Sequence, residues 1–298
     1  MARSVTKKEP VEIDVIDLKR GHANLWLVGE TPFYCNRMAV KAKRQLLFPS
    51  PQMTKTQRAT KLKHAPFAEF RDSPYLRKTP GPTKLLVPGS SPKMAIAGAA
   101  LRMPTSVNKT EIKQLVSVPA EYCDLYGVPR LDMSVVRMAG ISRTPDIRTR
   151  ARLDHWAMPV EVRWIEPMLN ETKISTLAQA AGIMCGLGDW RLEKGGPNGG
   201  FRLVERDDPE LRHIMETAGY LAQEEALAQP ECANPETEEL LDWYLEELSR
   251  RGVNPDDEQP EEIEMGDEND IVFGAGDERI HAPGEVVNPL AVQNGPEI

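Results

Sequence analysis

Residues 146–182 read DIRTRARLDHWAMPVEVRWIEPMLNETKISTLAQAAG, and the alternation within this stretch decides the fold class. Over residues 146–154, arginines alternate with small or apolar side chains, and over residues 159–165, valines and a tryptophan occupy every second position. A period of two residues is typical of a strand with one buried face. The residues HWAMP between the two segments predict a turn. The sequence therefore predicts two strands paired as an antiparallel hairpin.

A helix is predicted directly after these strands. Asn170 is a typical N-cap residue, the apolar residues behind it fall at helical spacing, and Gly182 begins the helix end. The remaining predicted elements are strands at 23–28, 112–118, 131–138 and 201–204, a helix at 37–47 capped by Asn36, and a helix at 93–101. This order predicts an α+β fold, an elaborated ferredoxin-like domain with extra strands and a long basic insertion at 48–92.

The charge divides the chain into a basic and an acidic part. Residues 1–206 hold 33 Lys and Arg against 19 Asp and Glu, a balance of +14, whereas residues 207–298 have a balance of −22. Such asymmetry is typical of a surface for polyanions beside an acidic tail, although ordinary solvation of both parts explains it equally well. The predicted organisation is a flexible N-terminus (1–20), a basic body (21–206), an acidic helical segment (207–251) and a disordered acidic tail (252–298).

Several classes of protein are disfavoured by the sequence. No stretch approaches the roughly 20 apolar residues that cross a bilayer, and the first residues lack the apolar run of a signal peptide, so we expect a cytoplasmic protein. The four cysteines form no CxxC pair, and no histidine stands at a metal-ligand interval. The histidines are scattered, and no serine or cysteine lies in a nucleophile motif. We therefore expect no metal, no cofactor and no enzymatic activity.

The glycine-rich loop, residues 182–200 (GIMCGLGDWRLEKGGPNGG), admits two interpretations. It lacks the GK[ST] ending of a phosphate loop and follows a helix instead of preceding one. In the structural interpretation, Gly186 and Gly188 allow a tight connection with positive φ, and Trp190 packs in the core. In the functional interpretation, Arg191 and Lys194 bind phosphates and Trp190 stacks on a base.

Basic side chains form the second candidate site. Arg148, Arg150 and Arg152 recur at every second residue, so one strand face would carry three guanidinium groups, with Arg143 nearby. A solvated strand face is the alternative, but a groove that follows a nucleic-acid backbone is favoured. Residues 37–84 add a balance of +10, and the insertion and the helix before it supply five further candidates: Lys41, Lys43, Arg44, Lys61 and Lys63.

Three resemblances extend this reading. GETPFYCNRM (29–38), LKHAPFAEFR (62–71) and LAQAAGIMCGLGDWRLEKGGPNGGFRLVE (177–205) resemble an uncharacterised family encoded by tailed bacteriophages and prophages, over about residues 25–204. The loop after the last helix is similar to that of RAMP proteins, the ferredoxin-like RNA-coating subunits of CRISPR complexes, which implies RNA binding at Gly186, Gly188, Arg191 and Lys194. The acidic tail, with DENDIVF at 267–273, resembles the tails of single-stranded DNA-binding proteins.

Two hypotheses remain open from the sequence. The leading one is a phage-encoded, non-enzymatic protein that binds single-stranded nucleic acid, either DNA or RNA, through its basic body. Its acidic tail would then compete with nucleic acid or recruit a replication or recombination protein. The alternative is a phage structural or assembly protein whose opposite charges hold copies together as a homo-oligomer.

Overall fold

The computed structural model describes residues 17–48, 62–103, 108–137 and 145–253, which all belong to one compact unit. The predicted tail from residue 254 onwards lies outside the described residues. The strands are β1 (Lys19–Gly29), β2 (Phe33–Tyr34), β3 (Tyr75–Leu76), β4 (Leu85–Pro88), β5 (Val116–Ser117), β6 (Tyr122–Asp124), β7 (Arg130–Arg137), β8 (Pro145–Leu153), β9 (Ala157–Glu166) and β10 (Phe201–Val204). The helices are α1 (Val40–Leu47), α2 (Pro66–Asp72), α3 (Ser90–Arg102), α4 (Lys109–Leu115), α5 (Glu171–Met184), α6 (Pro209–Thr217), α7 (Tyr220–Ala228) and α8 (Pro235–Arg251).

The largest sheet is antiparallel, with the strand order β10-β1-β9-β5. β1 and β9 form its centre and pair from Lys19 opposite Glu166 to Val28 opposite Ala157. Along β1, Leu25 and Leu27 are buried on one face, as the period of a strand requires. Burial of each of these leucines contributes about 1.5–3 kcal/mol. The predicted mixture of helices and antiparallel strands is confirmed.

Two helices, α3 and α5, pack against each other and cover the inner face of this sheet. The run of small residues Ala95–Ala100 in α3 is buried and allows the helices to approach closely. Asn170 caps α5 as predicted, because its side chain accepts a hydrogen bond of 2.9 Å from the backbone N–H of Lys173. Among the described residues, no helix has the length and apolar content that crossing a membrane requires.

β8 and β9 do not form the predicted hairpin. β8 pairs with β7 and β2 in a second, three-stranded sheet, whereas β9 pairs with β1 and β5. The change of sheet occurs at Trp156, which is fully buried and donates a hydrogen bond of 2.8 Å to the carbonyl of Thr31. Because that residue is anchored in the core, the short connection carries the chain from one sheet to the other instead of turning it back.

Two further segments differ from the prediction. The strand predicted at 112–118 is wrong over residues 112–115, which belong to α4, because Asn108 and Glu111 make a capping box at its start. The prediction holds for Val116–Ser117, which form β5. Residues 62–92 of the insertion are folded, although their sequence shows no periodicity. They contain α2, β3 and β4, with Phe70 and Leu85 fully buried, and β4 lies at the centre of a third sheet, β3-β4-β6.

The helices beyond residue 206 pack on the strands. Leu211 and Ile214 of α6 pack with Val28 of β1. In α7, the buried side chain of Gln223 accepts hydrogen bonds from two backbone N–H groups and donates to three carbonyls, those of Leu125, Gly127 and Ala218. In α8, Thr237 accepts a hydrogen bond of 3.0 Å from the Met133 N–H of β7. Packing on the body is therefore one use of these acidic helices.

Candidate nucleic-acid interface

Of the basic candidates before residue 144, the structure describes the side chains of Lys43 and Lys63. Arg143 and Lys61 lie outside the described residues, and so do the side chains of Lys41 and Arg44 in α1. Lys43 is exposed on the same helix. Lys63 forms an ion pair with Asp146, whose carboxylate also lies 3.0 Å from the Nε2 atom of His64.

The three arginines of β8 share one face, as the alternation predicted. Thr149, Ala151 and Leu153 are buried on the opposite face. The arginine side chains differ widely in exposure, however: Arg148 is 52% exposed, Arg152 24% and Arg150 only 8%. The three guanidinium groups therefore share a face but are unequally accessible, and their binding of nucleic acid stays a prediction.

Acidic side chains explain this difference. Arg150 forms an ion pair with Asp189 of the glycine-rich loop, and its guanidinium lies 5.5 Å from the centre of the Tyr34 ring. Arg152 donates hydrogen bonds of 2.7 Å to Asp154. Burial lowers the pKa of Arg150, an effect that the charge of Asp189 opposes. Both arginines are thus partly neutralised. Arg148 also lies 3.7 Å from the Asp189 carboxylate, but it is the most exposed arginine of this strand.

The glycine-rich loop has the backbone that its glycines predicted. Gly186 and Gly188 have φ values of 67° and 81°, and the loop joins α5 to β10. The Leu187 N–H donates to the Gly199 carbonyl (2.8 Å), and the Asp189 N–H donates to the Tyr34 carbonyl (3.0 Å). These bonds and the Asp189 ion pair fix the loop against β2 and β8. The two candidate sites from the sequence, the glycine-rich loop and the arginines of β8, are therefore in contact through Asp189.

Trp190 stands at the exposed point of this loop. Its side chain is 60% exposed, so the structure rules out the core position that the sequence had left open. Its φ of 44° places it in the left-handed region, which costs a residue other than glycine on the order of 1–3 kcal/mol. A Cβ on Gly196 would approach the Trp190 carbonyl oxygen to 1.8 Å, so the two backbone segments are in close contact. The loop thus holds an indole ring in solvent on a constrained backbone.

A cleft of about 260 Å³ lies beside the loop, between β2, α3 and Arg191. Its lining mixes the polar side chains of Asn36, Ser90 and Ser91 with apolar groups such as Tyr75 and Met94. Within the part of the chain that the structure describes, no three His, Cys, Asp or Glu side chains come together to hold a metal ion.

Arg191 and Lys194 differ in their partners. Arg191 donates a hydrogen bond of 2.9 Å to Glu193, whereas Lys194 is exposed. Two cations that the sequence interpretation missed, Arg102 and Lys109, also approach Glu193. They belong to α3 and α4, some 90 residues earlier, and no local pattern in the sequence connects them with the loop.

No protein-family model matches the chain. No curated protein matches it either. What the chain does is therefore inferred from its surface chemistry and geometry.

Proposed function

We propose that the chain is a non-enzymatic, phage-encoded protein that binds single-stranded nucleic acid at a loop surface made of Arg148, Trp190, Arg191 and Lys194. One observation carries the proposal: an exposed indole sits on a constrained backbone, next in sequence to Arg191 and to Asp189, whose carboxylate lies 3.7 Å from Arg148. Bases of a single strand stack on such aromatic rings, while Arg and Lys bind the phosphates. In a duplex the bases are stacked on one another and cannot stack on this ring, so we propose a preference for single strands.

The order of the elements supports the finer fold proposal. The largest sheet has the strand order β10-β1-β9-β5. Along the chain, α3 and α4 lie between β1 and β5, and α5 lies between β9 and β10. This arrangement matches a ferredoxin-like βαββαβ unit. The glycine-rich loop joins the second helical connection of this unit to its last strand. That position agrees with the proposed likeness to RAMP subunits, which carry a glycine-rich loop after the last helix.

Salt dependence tests the proposed function on the unmodified chain. We expect a single strand of about 15 nucleotides to bind and to change the tryptophan fluorescence. If Arg148, Arg191 and Lys194 each contact one phosphate, the logarithm of the binding constant falls against the logarithm of salt with a slope of about −2. A duplex of the same sequence is the control and should bind more weakly. Equal binding of the two, or no binding at low salt, would contradict the proposal.

The acidic tail is proposed to compete with nucleic acid or to recruit a replication or recombination protein. Residues 254–298 hold 13 Asp and Glu against one Arg. Because a tethered polyanion has a high effective concentration, a chain that ends at Val253 should bind single strands more tightly than the full chain, most clearly at low salt. This end point keeps the cap of α8, where Gly252 is left-handed. Equal affinities of the two chains in a binding titration would remove the competitor role.

Assembly is the second candidate function, and α1 provides the observation in its favour. Leu46, Leu47 and Phe48 at the end of this basic helix are each more than 60% exposed. Clustered apolar side chains of this kind are typical of contact surfaces between proteins. Light scattering of the chain without nucleic acid separates the two functions. The assembly function predicts that the chain forms oligomers on its own, whereas nucleic-acid binding requires no oligomer.

A further inference from the structure

The carboxylate of Glu193 is surrounded by three cations. Arg191 donates two hydrogen bonds to its Oε2 atom, at 2.9 Å and 3.3 Å. The Nη1 atom of Arg102 lies 3.5 Å from its Oε1 atom, and the Nζ atom of Lys109 lies 3.6 Å from the same oxygen. We call this group of four side chains the Glu193 cluster. Its side chains come from α3, α4 and the glycine-rich loop, and the three cations all lie near the two carboxylate oxygens of Glu193.

The Glu193 cluster is built into the fold. Glu193 belongs to a 3₁₀ turn, Leu192–Lys194, whose position is fixed by a hydrogen bond of 2.9 Å from the Glu193 N–H to the Cys185 carbonyl. The carboxylate also lies close to the backbone of α3, since a Cβ on Gly98 would lie 3.4 Å from Oε1. Arg102 is itself held by a hydrogen bond of 3.0 Å to the Gly98 carbonyl. Arg102 is therefore positioned by the backbone as well and does not depend on the carboxylate alone.

The charges of the cluster do not balance. Among the described residues, Glu193 is the one acidic side chain within 4 Å of each of the three cations, which leaves two positive charges in excess. Glu193 is 14% exposed, whereas each cation is about one-third or one-quarter exposed. Burial would raise the pKa of Glu193, but Arg191, Lys109 and Arg102 outweigh it and lower the pKa, so the carboxylate is charged at neutral pH.

We propose that Arg102, Lys109 and Arg191 form a binding site for a backbone phosphate and that Glu193 occupies this site when no nucleic acid is bound. This inference rests on the proposed function, because Arg191 connects the cluster to Trp190. A phosphodiester presents oxygens that guanidinium forks and an ammonium group bind well. Rotation of the Glu193 side chain into solvent leaves the three cations free for it. A strand stacked on Trp190 thus continues along α3, over Arg191 towards Arg102.

Glu193→Gln tests the proposal, with Glu161→Gln as the matched control. Glu161 pairs with Arg163 at 2.7 Å on β9, on the sheet face opposite α3 and α5, so its replacement makes the same change in net charge elsewhere. We expect Glu193→Gln to bind a single strand about two- to fivefold more tightly at low salt, since removal of one competing ion pair is worth that much. Glu161→Gln should change the affinity less. Unchanged or weaker binding by Glu193→Gln, while the wild type binds, would overturn the proposal.

A second variant keeps the proposal testable if Glu193→Gln folds poorly. Lys109→Gln removes one of the three cations that share this phosphate, so it should weaken binding at low salt and flatten the salt slope by less than the roughly 0.7 expected for a whole phosphate contact. Affinity at low salt equal to that of the wild type would contradict the site. The affinity of each variant is measured for a strand with a 5′-phosphate and for one without. If the site binds an internal phosphodiester, the variants change both affinities equally. A change confined to the 5′-phosphorylated strand would reject a backbone-phosphate site. If the wild type binds no strand, the proposed function fails and this inference fails with it.

Discussion

Replacement of Asp189 with alanine is expected to lower the free energy of unfolding by about 3 kcal/mol or more, because it leaves a buried arginine without its counter-ion. The Arg150 side chain is 8% exposed, and Asp189 is its ion-pair partner. Asp189 also accepts a hydrogen bond of 3.3 Å from Asn36 and lies 3.7 Å from Arg148. Chemical denaturation measures the loss, since the unfolding midpoint falls while the slope is unchanged.

The control for this prediction is the exposed pair Arg163 and Glu161. Both side chains are more than one-third exposed, so the loss of Glu161 should cost less than about 1 kcal/mol. A double-mutant cycle with Arg150→Ala and Asp189→Ala isolates the coupling of the buried pair. A loss below 1 kcal/mol for Asp189→Ala would show that water reaches Arg150 and that the loop is not fixed through this contact.

The elements themselves follow largely from local patterns in the sequence. Alternation identified β8 and β9, and Asn170 marked the start of α5. Each of these signals acts within about one helical turn or one strand, where steric and capping preferences dominate. The start of α4 carried such a signal too, since Asn108 and Glu111 form a capping box. The alternation of the apolar residues behind it led to a strand prediction instead.

Strand partners could not be predicted in the same way. Alternation determines which residues of a strand share a face, but it contains nothing about the neighbour across the ladder. A connection of three residues between β8 and β9 resembles a hairpin turn, and only the burial of Trp156 takes the chain into another sheet. That burial depends on Thr31, which lies 125 residues away.

The candidate site shows the same limit. The sequence placed Arg148, Arg150 and Arg152 on one face, and it predicted the positive φ of Gly186 and Gly188. It did not reveal that Asp189 neutralises Arg150, because the two residues are 39 positions apart. For the same reason it missed Arg102 and Lys109. Long-range ion pairs are determined by the assembled fold, so a row of cations in a sequence is no measure of free positive charge on a surface.

The largest effect on binding is expected from Trp190→Ala. Stacking of a base on an aromatic side chain contributes about 1–3 kcal/mol, so the affinity for a single strand should fall by roughly five- to 150-fold. The indole is 60% exposed, and its loss should therefore change the stability little. The matched control is Trp243→Ala, since Trp243 is 58% exposed on α8 and belongs to no proposed site.

Fluorescence anisotropy of a labelled single strand, titrated with the wild type, Trp190→Ala and Trp243→Ala, tests the central claim most directly. We expect Trp190→Ala to bind at least about fivefold more weakly than the wild type, in line with the loss of one stacked base, while Trp243→Ala binds like the wild type. Equal affinity of the wild type and Trp190→Ala would contradict the claim that the loop surface binds nucleic acid.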